Sequence, residues 1–296
     1  EVVDGPHQSL PDVRFGDGDH PEVDTGRAAT AGEGDCEGTA GRSEELTALH
    51  HVVSSSPSVN TFRWRLLPTA MPTTTRDGTT LQYRTDGEGE TVAFVPDIGV
   101  GPWFWGWQHA GLAGPFETLT WAMRGTDGSD PPAGPLSVAT LANDLDAVLT
   151  DHGADSVHLV GSGLGAMVAL HYARNSGRVR KLALLAGAAT GDAYDPGPLF
   201  ADPDAPDSCR ETLSMALSAG FRAAQPDVLD GIAEWRAGED ADEESWEHQR
   251  AALDGFDAGP LYEIDHPALV VVPGADDLLD PAAGRQLAED LPRGEA

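Results

Sequence analysis

Two parts of the chain differ in how apolar and polar positions alternate. Over residues 1–70 neither a two-residue nor a 3.6-residue period is sustained, and Gly, Asp, Glu, Ser and Pro dominate. That pattern predicts a disordered extension. A mis-set gene start accounts for it equally, because the chain opens at Glu1 while Met71 heads MPTTTRDGTTLQYR, which reads as the start of a domain. A docking tail is the alternative, and protease resistance of this segment would favour it.

From Met71 onward the pattern becomes regular. Residues 81–84 and 91–96 (TVAFVP) read as strands, residues 105–112 as a helix and residues 117–123 as a strand. Over residues 137–152, Val138, Leu141, Leu145, Val148 and Leu149 fall on one helical face, and Ser137 is a suitable N-cap. Strands at 156–160 and 179–185 flank a helix at 164–173. Near-continuous apolar strands alternating with helices predict an α/β fold: a mostly parallel sheet covered on both faces. The alternation breaks over about 190–260, where helices near 208–221, 227–236 and 244–256 predict a small helical cap over one sheet edge. A strand at 268–272 and a helix at 282–291 follow. The domain thus expected spans 71–296, preceded by the extension.

Composition sharpens this picture. The hydrophobic fraction of 40% is low for a wholly globular chain and agrees with an unstructured portion. The formal net charge is -31, and Lys181 is the only lysine. Acidic residues are scattered rather than blocked, as in proteins of salt-loving microbes. At molar salt the Debye length is only ~3 Å, so dense surface carboxylates repel little and still hold water. A partner-binding acidic face is the alternative. Either way, such a charge argues against a nucleic-acid partner. Cys36 and Cys209 lack metal-ligand spacing and read as inert thiols. With no apolar run in the first thirty residues and none near ~18 residues anywhere, neither a secretory signal nor a membrane span is expected. A cytoplasmic location follows by default.

The chemistry concentrates in VHLVGSGLGAMVALHYAR, residues 157–174, where a strand enters a glycine turn and then a helix. Gly161, Gly163 and Ala166 fit the dinucleotide pattern G-x-G-x-x-A. That reading needs an acid at the end of the next strand to hold a ribose, and KLALLAGAA carries none. The other reading is a nucleophile elbow, G-x-S-x-G.

Here a family resemblance becomes specific. Residues 72–296 resemble the α/β-hydrolase fold superfamily, notably its lactonase, esterase and haloperoxidase-like members. FVPDIGVGPWFWGWQ stands where those proteins carry a strand, His-Gly, the oxyanion loop and W-x-W. MRGTDGSDPP resembles their R-G-x-G-x-S-x-x-P loop, LANDLDAVLTDHG the helix before the nucleophile strand, and HPALVVVPGADDLLDP the strand and turn presenting the catalytic acid. The resemblance implies hydrolysis of a small apolar or ester-like ligand, with no cofactor and no metal.

The same alignment exposes departures. With Gly161 and Gly165 as the small residues of the elbow, the nucleophile position falls on Gly163. Ser162 is the alternative nucleophile, but it would set Val160 and Leu164 where the turn needs small residues. Asp277 takes the acid position, beside an exposed Asp276. The N–H groups of Ile98 and Leu164 are the expected oxyanion donors. Pro96 and Asp97 replace His-Gly, and Asp97 either faces that hole, opposing a developing anion, or is a solvated turn residue. No histidine follows His266, itself read as a pre-strand residue, so the general base and one strand are expected to be missing, as in a truncated chain. His109, His158 and His171 read as core or surface histidines. Trp103, Trp105 and Trp107 read as packing around the first helix or as pocket lining. Leu213, Leu217, Phe221, Leu229, Ile232, Trp235 and Trp246 read as cap core, or as a lid. Three functions compete: a hydrolase descendant without a working triad, an ester or lactone hydrolase acting by a non-standard route, and a nicotinamide- or flavin-binding protein.

Overall fold

The computed structural model describes residues 71–296. The expected extension over 1–70, with Cys36, lies outside the described residues.

The chain forms an eight-stranded sheet among the described residues, in the order β1-β2-β4-β3-β5-β6-β7-β8. The strands are β1 (Thr73–Arg76), β2 (Thr79–Asp86), β3 (Thr91–Val95), β4 (Glu117–Trp121), β5 (Val157–Ser162), β6 (Val179–Leu185), β7 (Ala268–Val271) and β8 (Gly294–Glu295). β1 pairs antiparallel with β2 and β2 with β4; every other pairing is parallel. β3, buried at all five positions, is the sheet's centre, as its uninterrupted apolar run requires. The final strand, expected to be missing, is present as two residues that pair with Ala268 and Leu269 of β7.

Helices α1 (Gly106–Leu112), α2 (Val138–His152), α3 (Leu164–Asn175) and α9 (Pro281–Asp290) pack on the sheet. α2 begins where predicted: the Ser137 side chain accepts a hydrogen bond from Thr140 N, satisfying one of the unpaired amides of the first turn. Gly153 closes the helix in the left-handed conformation, φ 85°. Its predicted apolar face lies in the main core with α3 and with Leu119 and Leu159 of the sheet.

Between β6 and β7 lies the cap: α4 (Pro206–Glu211), α5 (Leu213–Ala216), α6 (Ala219–Ala224), α7 (Pro226–Glu239) and α8 (Glu243–Arg250). The single helix expected over 208–221 is broken. Leu217 is extended (φ -122°, ψ 134°), and Ser218 caps a new helix by accepting from Phe221 N. Leu213, Leu229 and Ile232 are buried against Trp103, whereas Phe221 is exposed, contrary to its expected place in the cap core.

Candidate active site

β3 and β5 are parallel neighbours, and their register pairs Val95 with Gly161. The residues two further along each chain, Asp97 and Gly163, therefore emerge side by side at the carboxyl end of the sheet, where open α/β folds place their ligands. Gly163 is the tip of the turn into α3, with φ 51° and ψ -116°, a conformation that a residue with a Cβ adopts only under strain. Gly161 and Gly165 are needed for close approach instead. A Cβ on Gly161 would collide with the backbone of Gly165, and one on Gly165 would collide with the carbonyls of Val95 and Pro96. These collisions make 161 and 165 glycines for lack of space, while 163 occupies the strained tip between them.

Asp97 resolves the alternative left open by the sequence. Its side chain faces inward and is 6% exposed. Oδ1 accepts hydrogen bonds from Ile98 N at 2.7 Å and Leu164 N at 3.0 Å. These are the two amides expected to form the oxyanion hole, and they converge on one atom. Oδ2 accepts from Tyr194 Oη at 2.8 Å. A Cβ built on Gly163 would lie on top of this carboxylate, touching Oδ1, Oδ2 and Cγ.

Burial pushes the Asp97 carboxyl up from its ordinary 3.8 to about 6, against the opposing pull of the Tyr194, Ile98 and Leu164 hydrogen bonds and with a smaller upward push from Asp276. Burial also pushes the Tyr194 phenol well above its usual range, reinforced by the Asp97 charge, so Tyr194 is a hydrogen-bond donor at neutral pH. Tyr194 follows β6 and is held through a bridge to Leu279, with Asp195 N donating to Leu278 O at 2.9 Å. Asp276 organises that turn by accepting from Leu278 N and Leu279 N.

The loop carrying Ile98 is clamped from the cap. Gly99 N donates to Gln249 Oε1, and Gln249 Nε2 donates to Arg124 O, both at 2.8 Å. Asp240 accepts from Gly101 N at 3.0 Å, Trp103 Nε1 at 2.6 Å and Arg236 Nε at 2.7 Å. Glu239 accepts from Trp103 N at 2.9 Å. Trp103 and Trp105 are buried, and Trp107 packs edge-on against Trp235 of α7. In the MRGTDGSDPP loop, Arg124 grips Asp144 of α2 with two bonds of 2.7 Å, and Ser129 ties Gln82 N to Ala122 O. Those motif residues hold the fold.

The remaining expected positions are scattered. Ser162 is buried at the end of β5, opposite Leu185, and the strand pleat sends its side chain to the Val160 face. Asp277 is exposed, whereas Asp276, expected to be exposed, is partly buried and close enough for its charge to act on Asp97 and Tyr194. His109 is buried, and its pKa falls to about 4 by burial. Sequence reasoning missed Tyr194, which stands in no motif; only the cap's path brings it to the turn.

A mostly parallel sheet in this strand order, with a tight glycine turn between β5 and α3, is the α/β-hydrolase fold. The model of the α/β hydrolase family matches residues 92–295, and the chain belongs to that family. Among individual proteins, it is 29% identical over 115 residues to the Azorhizobium caulinodans protein named "Putative carbamate hydrolase RutD". That alignment spans 38% of this chain and only 43% of that protein. In fold it is similar to the enol-lactonase of Burkholderia xenovorans, with a TM-score of 0.62, 24% identity, and 75% and 88% of the two chains covered. It is also similar to a hydrolase of Pseudomonas aeruginosa, with a TM-score of 0.67, 22% identity, and 77% and 89% covered. Among the described residues no helix is long and apolar enough to cross a membrane.

Proposed function

We propose that this chain is a hydrolase descendant without a working Ser-His-Asp triad, one that retains a site for a small apolar or ester-like ligand. In this reading Gly163 stands at the nucleophile position, Asp277 at the acid position, and Ile98 and Leu164 supply the oxyanion donors. The observation that carries it is the Asp97 carboxylate. It fills the space a nucleophile's side chain would need and takes both amides that would otherwise stabilise a tetrahedral oxyanion. Gly163 offers no attacking atom, and a filled hole withholds the stabilisation that usually contributes most to acyl transfer. The lactone and carbamate chemistry in the names of similar proteins supports that ligand class. A dinucleotide is disfavoured, because Asp97 puts negative charge at the α3 N-terminus where a pyrophosphate would sit.

The test is turnover of short-chain nitrophenyl esters and lactones by the full chain in molar salt, with fluorophosphonate labelling in parallel. The expected result is no covalent adduct and no rate above buffer. Labelling of Ser162 or sustained turnover would overturn the reading in favour of a hydrolase with a non-standard route.

A further inference from the structure

Three separately folded pieces meet at the Asp97 carboxylate: the loop after β3 through Ile98 N, the start of α3 through Leu164 N, and the segment after β6 through Tyr194 Oη. Both carboxylate oxygens are served, the group is almost fully buried, and the charged side chain acting on it is another anion, Asp276. Its charge is therefore balanced by backbone dipoles, a hydroxyl and the positive end of a three-turn helix, which is the makeup of an anion receptor rather than of an ion pair. The register that places residues 97 and 163 side by side leaves room for only one side chain between them.

We infer that the oxyanion hole of this chain has become an internal carboxylate-binding site. Asp97 is its resident anion, and the absence of a side chain at 163 is the condition for its binding. The inference rests on the proposed reading of Gly163 only in naming the hole; the receptor itself is built from Ile98, Leu164 and Tyr194. Two consequences follow. A serine placed at 163 alone meets an occupied hole, so Gly163→Ser does not recreate a hydrolase while Asp97 remains. Once Asp97 is shortened, the vacated donors accept a free carboxylate of acetate size.

The experiment is a double-mutant cycle read by thermal unfolding in molar sodium chloride at pH 7.5: wild type, Gly163→Ala, Asp97→Gly and the double variant. Backbone strain at φ 51° burdens the alanine in both backgrounds, so the difference isolates the collision with Asp97. Gly163→Ala is expected to lower Tm by more than about 5 °C in the wild type and by clearly less in Asp97→Gly. Equal losses would overturn the inference. Replacing chloride with sodium acetate at constant ionic strength is expected to raise the Tm of Asp97→Gly above any change in the wild type; an identical response in both would count against the receptor. If Asp97→Gly does not fold, amide exchange in the wild type decides. Ile98 and Leu164 must be strongly protected, and rapid exchange at both would sink the proposal. Ester turnover by the wild type would remove the proposed loss of hydrolysis and leave the coupling of 97 and 163 standing. Equal Tm losses would do the reverse.

Discussion

Asp97 is held charged at neutral pH in a setting that favours its neutral form. Its folded-state pKa, about 6, lies above the ordinary 3.8. The raised value means the folded chain binds this proton more tightly than the unfolded chain. The stability it contributes is full below about 4 and is lost as pH rises through about 6. The shift corresponds to on the order of 3 kcal/mol. The stability of the wild type relative to Asp97→Asn is therefore expected to fall by about that much between pH 4 and pH 7. Denaturant titration in molar salt measures it, and a pH-independent difference would refute it. Taking the difference removes the same-signed contribution of Glu239, which burial raises to about 7. At this scale the sequence was informative wherever a residue's role is local. Ile98 and Leu164 could be paired in advance because their amides belong to the turns that the motifs describe, and both amides do point at one atom, Asp97 Oδ1. Tyr194 was not, because nothing around it in sequence marks a residue whose partner is 97 positions away.

Elements were legible where one periodicity ruled. α2 and β6 came out at their predicted places, since α2 carries a continuous apolar face and a capping serine, and β6 the apolar run from Leu182 to Leu185. β1 was missed although its signal was present. Asp77 and Gly78 both have positive φ, 50° and 80°, as a two-residue hairpin turn requires, but the flanking strand is only four residues long and polar throughout. The broken cap helix shows the opposite failure: apolar spacing continues across Leu217 and Ser218 while the backbone does not. The cap's grip on the loop after β3 runs through the buried Arg236–Asp240 pair at the end of α7, with side chains 6% and 2% exposed. Asp240→Ala leaves a buried guanidinium without its carboxylate and strips the acceptor from Gly101 N and Trp103 Nε1. A loss of about 3–5 kcal/mol in unfolding free energy is expected. A loss under about 1 kcal/mol would show that the clamp contributes little.

For the molecule as a whole, charge dominates. A net -31 on 296 residues destabilises the compact state by self-repulsion unless salt screens it. Tm is expected to rise steeply as sodium chloride goes from tens of millimolar to molar, well beyond the gain of a near-neutral protein of this fold. A flat or falling curve would reject the salt-adapted reading. Sequence alone determined the α/β architecture, the alternation of its main strands and helices and the lack of a side chain at position 163, because each is written in periodicity, glycine spacing and residue identity. Only the tertiary structure decided what fills that space. Whether an aspartate beside a turn faces water or turns inward onto the amides of Ile98 and Leu164 depends on the register of β3 against β5 and on the segment after β6 bringing a phenol to the far oxygen. Both are contacts between segments too distant in sequence for any local pattern to encode.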